Sequence, residues 1–226
     1  MSRTAVLVGA TGLVGRHTLA LLVSDPTWER VVTLTRRPLE PASSRHVSHV
    51  VDFAAVDFAA LDDASALFDC HDLFCALGTT MKQAGSRDAF RRVDFEYVVR
   101  SAELAKAQGA RQMLLVSAYG SNASSRVFYN RVKGEAEEAV RSLGFEAMHI
   151  LRPSLLTGDR REKRAGEQIG EAVLNVLSPL MVGPLRPLRP TPAEAVARCL
   201  TRAATSDRAG VHIYDPTQIR QLGGSP

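Results

Sequence analysis

Apolar positions along this chain follow two alternating rhythms. Short runs rich in Val, Ile and Leu occur at Thr4–Val8, Val31–Thr35, Val47–Val51, Asp72–Ala76, Gln112–Ser117 and Ala147–Leu151. Runs of that length without regular polar alternation predict strands buried on both faces. Between most of them apolar residues recur at the helical period, over Leu13–Val23, Ala60–Phe68, Asp88–Gln108 and Val127–Leu143. Gly109 and Gly144 stop the patterns at Gln108 and Leu143, each just before a strand. Strand and helix in regular succession predict an α/β architecture, a doubly wound, mostly parallel sheet with crossover helices.

Past residue 152 the rhythm changes. The Pro-rich stretch Pro179 to Pro192 separates two helical patterns, Gly166–Leu177 and Pro192–Ala204, and a short strand follows at Gly210–Tyr214. We read one domain, with residues 1–152 as its core, 153–222 as a small lobe covering a substrate, and the Gly-Gly-Ser-Pro tail 223–226 as disordered. One local oddity is a tandem repeat, in which Val51-Asp52-Phe53-Ala54-Ala55 returns as Val56 to Ala60.

Composition narrows the class. With 45% hydrophobic and 23% charged residues the chain is globular in type, without the bias of a disordered or fibrous sequence. The net charge of +4 comes without a long basic run or aromatic-interleaved patch, so no nucleic-acid partner is expected. Arg160, Arg161, Lys163 and Arg164, interrupted by Glu162, read first as a solvated loop and second as a substrate contact. No apolar run reaches the roughly 18 residues of a membrane span, and no membrane partner is expected. Cys70, Cys75 and Cys199 lack metal-ligand spacing and read as reduced thiols, which predicts no metal and a cytoplasmic location.

The chemistry begins at Gly9-Ala10-Thr11-Gly12-Leu13-Val14-Gly15, which joins the first strand to the first helix. In that context the glycines permit a tight turn, close approach of backbone amides to a pyrophosphate and close helix packing, while the helix start favours negative charge. This is the Rossmann fingerprint for a dinucleotide, in a G-x-x-G-x-x-G variant. An NAD(H) site places a carboxylate about 20 residues further on, but here the second strand ends Thr35-Arg36-Arg37. Guanidinium groups suit a 2′-phosphate, so NADP(H) is preferred over NAD(H). An Asp at the end of the third strand would meet the adenine; Asp52 is favoured over Asp57, and Phe53 follows it. The fourth strand runs into Leu77-Gly78-Thr79-Thr80, at the strand ends where ligands bind in such sheets.

Tyr129 and Lys133, spaced i, i+4 on one helix, are the catalytic candidates together with Ser117 at a strand end. A lysine charge beside a phenol favours phenolate and readies Tyr129 for proton transfer. Ser117 would hydrogen-bond the substrate oxygen, although Ser121, Ser124 and Ser125 crowd the same loop.

Together these segments resemble the extended and atypical short-chain dehydrogenase/reductases, above all the Tat-interacting-protein-like NADPH-binding oxidoreductases. The resemblance also runs through Ala84-Gly85-Ser86, Phe90-Arg91-Arg92-Val93-Asp94, Phe128 to Glu135 and Leu151-Arg152-Pro153-Ser154. It implies a seven-stranded parallel-type sheet, NADP(H) across the strand ends, a Ser-Tyr-Lys site at Ser117, Tyr129 and Lys133, and Pro153 and Ser154 beside the nicotinamide carboxamide. Asp94 departs from the pattern, because many members carry an Asn there that supports a relay water.

The expected activity is NADP(H)-dependent oxidation or reduction of a small carbonyl or hydroxyl substrate. Its rivals are an NADPH-binding regulatory protein with little turnover and a nucleotide-sugar epimerase or dehydratase, for which the C-terminal lobe looks short. The apolar stretch Leu174–Leu185 could dock a protein partner, and helices Asp88–Gln108 and Val127–Leu143 could pack in a homodimer.

Overall fold

The computed structural model describes residues 3–51, 53, 66–158, 187–206 and 208–224. Strands β1 (Arg3–Val8), β2 (Trp28–Thr35), β3 (His46–Val50), β4 (Asp72–Cys75), β5 (Gln112–Val116) and β6 (Ala147–Leu151) fall where the apolar runs predict them. Two short strands, β7 (Leu156–Thr157) and β8 (Thr191–Pro192), pair with each other, and β9 (Gly210–Tyr214) joins the main sheet. The main sheet has the order β3-β2-β1-β4-β5-β6-β9, with every pairing parallel. This is the Rossmann arrangement. The order reverses between β1 and β4, which opens a crevice beyond their C-terminal ends.

Strand alternation splits the core into two layers. Val6 and Val8 of β1 pack on one side of the sheet, and Ala5 and Leu7 on the other. The first layer is closed by α4 (Tyr97–Ala107) and α5 (Phe128–Ser142), through Val98, Ala102, Ala136 and Val140. The second is closed by α1 (Leu13–Ser24), α6 (Ala193–Ala204) and α7 (Pro216–Gly223). Ahead of α4, short helices α2 (Met81–Ala84) and α3 (Arg87–Arg91) are capped by the side chains of Thr80 and Ser86. A π-helical turn, Arg92–Glu96, joins α3 to α4 within the pattern read as one helix.

The region after residue 152 departs from expectation. Helix α6 is not part of a cover; it packs across α1 and buries Val196, Cys199 and Leu200 against the sheet layer. Its amphipathic pattern has an apolar face wide enough to demand a core, and β9 extends that core by a seventh strand. The tail was expected to be disordered from Gly223, yet Gly223 ends α7 and its carbonyl accepts from Arg198 Nε at 2.8 Å. The overlooked signal is Asp215-Pro216-Thr217-Gln218. Asp215 accepts from the Thr217 and Gln218 backbone N–H groups while Gln218 accepts from that of Asp215, a capping box that starts a helix. Most of the helix read at Ala60–Phe68, all of that at Gly166–Leu177, the basic cluster at 160–164 and the stretch Leu174–Leu185 lie outside the described residues; Ala66–Phe68 forms a 3₁₀ turn.

Between β6 and β9, His149 is fully buried, its Nδ1 3.0 Å from the Tyr214 hydroxyl and its ring stacked on His212 at 5.2 Å. Burial, helped by the nearby positive potential of His212 and Arg208, lowers its pKa to about 4. The folded state therefore binds this proton less readily than the unfolded chain. The stabilising difference is present above pH ~6.5 and is lost as the pH falls toward 4, at no more than about 1.4 kcal/mol per pH unit. Urea unfolding of the wild type across that window should show this loss and His149→Gln a shallower one; identical slopes would remove His149 as the cause.

Candidate functional site

β1 delivers the chain into a turn that only glycine tolerates. Gly9 has φ +86°, and a Cβ there would sit 2.5 Å from the Ala76 carbonyl at the end of β4. The Gly12 N–H returns to the Gly9 carbonyl at 3.0 Å, and Gly12 caps α1 without a side-chain hydrogen bond. At Gly15 a Cβ would lie 2.0 Å from the Gly9 oxygen, so α1 rests directly on the turn. Val14 is buried, Leu13 half-buried, and Thr11 and Gly12 are exposed at the rim. The first turn of α1 carries no acidic residue, which leaves its amide groups and the positive end of its dipole facing the crevice. This cradle, bare of side chains, fits a pyrophosphate.

Beyond β2, Arg36 and Arg37 are both exposed, and the Thr35 hydroxyl donates to the Arg37 carbonyl at 2.7 Å to fix the bend between them. Asp52 and Asp57 lie outside the described residues, while Phe53 is buried with its ring 5.5 Å from that of Tyr97. Past β4, Leu77 is half-buried and Gly78 exposed, and a Cβ at Gly78 would stand 3.4 Å from both Asp94 Oδ1 and Lys133 Nζ.

Those two atoms are 2.8 Å apart, and their side chains are 0% and 7% exposed. The π-helical turn carries Asp94 inward, and the Thr79 N–H donates to its second oxygen at 2.9 Å. Burial disfavours the Lys133 charge, but Asp94, together with Tyr129 and Cys75, outweighs it and raises the lysine above its ordinary pKa. Tyr129, one turn earlier on α5, is half-buried with its ring 5.3 Å from that of Phe90 on α3. Burial pushes the Cys75 thiol up to about 11, so it is a packing group and not a nucleophile.

Ser117 stands apart from that pair in its bonding. It is buried, its hydroxyl donates to Glu137 Oε1, and its oxygen is 3.0 Å from that of Ser121. Glu137 in turn accepts from Arg152 Nε at 3.0 Å and Nη2 at 2.5 Å. With its one hydrogen given to Glu137, Ser117 presents only lone pairs to anything else, which differs from the donor role expected of it. Ser154 donates to the Arg189 carbonyl and pairs with the Thr191 hydroxyl at 2.8 Å, while the Pro153 carbonyl accepts from Tyr119 N–H at 2.8 Å. Sequence reasoning missed Glu137. Its signal was a charged residue at i+4 from Lys133, on the α5 face that also carries Val132, Ala136 and Val140. Among the described residues, no group of three or more His, Cys, Asp or Glu gathers as a metal site.

A family model described as NAD(P)H-binding matches residues 9–176. The chain belongs to this NAD(P)H-binding family. Its relatives include the rat protein HTATIP2, 39% identical over 169 residues that make up 74% of this chain and 68% of the relative. Another, from Aspergillus fumigatus, is named "fmp52, mitochondrial" and is 32% identical over 221 residues, 97% of this chain and 94% of the relative. In fold the NAD(P)H-binding protein is similar to a UDP-glucuronic acid 4-epimerase from Bacillus cereus solved with NAD. That likeness has a TM-score of 0.67 at 14% identity and covers 94% of this chain and 77% of the epimerase. Several further fungal relatives also carry mitochondrial names, which overturns the cytoplasmic expectation. That expectation rested on cysteines. Buried free thiols do not identify a compartment.

Proposed function

We propose that this protein is an NADP(H)-dependent oxidoreductase of the short-chain dehydrogenase/reductase type, acting on a small carbonyl or hydroxyl substrate. The observation that carries the reading is the Tyr129–Lys133 face of α5, set beside Gly78 at the strand ends next to the glycine cradle. Residues Gly9 to Gly15 would hold the pyrophosphate, Arg36 and Arg37 the 2′-phosphate, and Asp52 and Phe53 the adenine end. Leu77, Gly78 and Thr79 would line the central part, Lys133 the nicotinamide ribose, and Pro153 and Ser154 the carboxamide. A bound nicotinamide supplies or accepts hydride; Tyr129 moves the accompanying proton at the substrate oxygen, and Lys133 holds its charge beside the phenol.

The test is consumption of NADPH with a panel of small aldehydes and ketones. Tyr129→Phe should reduce turnover roughly 10²- to 10⁴-fold, with calorimetric NADPH affinity unchanged. Replacing Arg36 and Arg37 together by Ala should weaken NADPH roughly 10- to 100-fold and NADH far less. Undiminished turnover in Tyr129→Phe would end the reading. A second reading, a regulatory protein that binds NADPH with little turnover, is favoured by the bond that takes the Ser117 hydrogen to Glu137. It predicts tight NADPH binding and no consumption with any carbonyl offered.

A further inference from the structure

The acidic side chain at position 94 changes what the tyrosine beside Lys133 can do. Asp94 is held on both oxygens, by Lys133 Nζ at 2.8 Å and the Thr79 N–H at 2.9 Å, and is fully buried by the π-helical turn that carries it. The groups whose charge bears on Lys133 are Asp94 from that turn, in contact with it, and at longer range Tyr129 from its own helix and Cys75 from β4. One turn further on, Glu137 is engaged by Arg152 and Ser117. An unopposed lysine would draw the phenol toward phenolate, a proton acceptor. Here its charge is cancelled at contact distance by a carboxylate that water does not screen.

We propose that Asp94 is a positioning residue which neutralises Lys133, keeps Tyr129 as a proton-donating phenol at neutral pH, and so suits the site at that pH to carbonyl reduction. In that direction the substrate C=O π bond breaks. Hydride from a reduced nicotinamide dinucleotide forms the C–H bond and leaves the dinucleotide oxidised. The Tyr129 proton forms the O–H bond, and solvent reprotonates the phenolate. This inference rests on the oxidoreductase reading for its substrate, whereas the state of Tyr129 can be measured without any substrate.

The experiment is an ultraviolet titration of the phenolate band in the protein alone, taking wild type minus Tyr129→Phe to isolate this tyrosine. Tyr129 should stay a phenol through pH 8. In Asp94→Asn, which keeps the size of the side chain, the Tyr129 phenolate band should rise at least one pH unit lower, because the Lys133 charge then has no carboxylate to cancel it. Asp94→Glu should restore the wild-type curve. The pH profile of NADPH consumption should move in parallel.

A phenolate already present at pH 7 in the wild type would overturn the proposal, and that measurement needs no variant at position 94. An unmoved titration in folded Asp94→Asn would overturn it as well. If the titrations behave as expected while no carbonyl consumes NADPH, the oxidoreductase reading has failed and the role in reduction falls with it. Turnover with an unmoved titration defeats the role of Asp94 alone.

Discussion

Gly15→Ala should weaken dinucleotide binding roughly 10- to 100-fold. The added methyl would stand 2.0 Å from the Gly9 oxygen, 2.8 Å from the Gly9 carbonyl carbon and 2.9 Å from the Ala10 Cα. All three are backbone atoms of the turn and cannot rotate away as a side-chain end would, so α1 must lift from the strand end. Overpacking of this kind costs about 1–3 kcal/mol, and each ~1.4 kcal/mol is tenfold in affinity. The displaced amides are the ones proposed to face the pyrophosphate, so the loss should fall on binding as well as on stability. Gly144→Ala is the informative control. Gly144 has φ +67° with nothing within 4 Å of a built Cβ, so it should lose about 1–2 kcal/mol of stability through backbone strain and keep its NADPH affinity. Calorimetry and thermal melts on both variants check the contrast. Equal NADPH affinities in Gly15→Ala and the wild type would show that the turn does not set the binding surface.

The second large effect is expected at Glu137. Its carboxylate is buried and serves three donors, the Ser117 hydroxyl and two nitrogens of Arg152. Glu137→Ala leaves a guanidinium without its counter-charge and a buried hydroxyl without its acceptor. Removing one partner of a buried pair costs about 3–5 kcal/mol. The Arg152 side chain is 27% exposed, so water recovers part of that and the lower end applies. The double variant Glu137→Ala/Arg152→Ala should lose less than the two single variants added together, because the orphaned charge is gone. Denaturant unfolding of the four proteins measures the coupling. Simple additivity would mean that the pair contributes nothing specific.

Much of the fold was legible because the central strands are short apolar runs and two of the crossover helices, α4 and α5, are followed at once by the glycines Gly109 and Gly144. Gly9 to Gly15 was equally readable, since its placement between strand and helix limits what the glycines can do. Legibility failed where a residue's partner comes from a distant element. Nothing local to Asp94 announces that a π-helical turn will aim it at Lys133, and nothing local to Ser117 announces Glu137. Helix α6 misled for a related reason. It was read from its position after a Pro-rich stretch, whereas its broad apolar face already demanded a sheet to lie on. The substrate was not legible, because Thr157 to Pro192, within the stretch expected to cover it, shows no pattern that translates into chemistry.

The parallel pairing of β9 with β6 bears on how the chain reaches its native state. No tight hairpin can join parallel neighbours, so the outer edge of β6 waits for a strand that arrives only after β7, β8 and α6 have been threaded past it. Until then Ala147–Leu151 offers bare amides and carbonyls along one side, and the face destined for α6 is uncovered. Pairings of such sequence separation form slowly. The interval before β9 docks is therefore when this chain is most open to sticking to copies of itself or to a chaperone's grip.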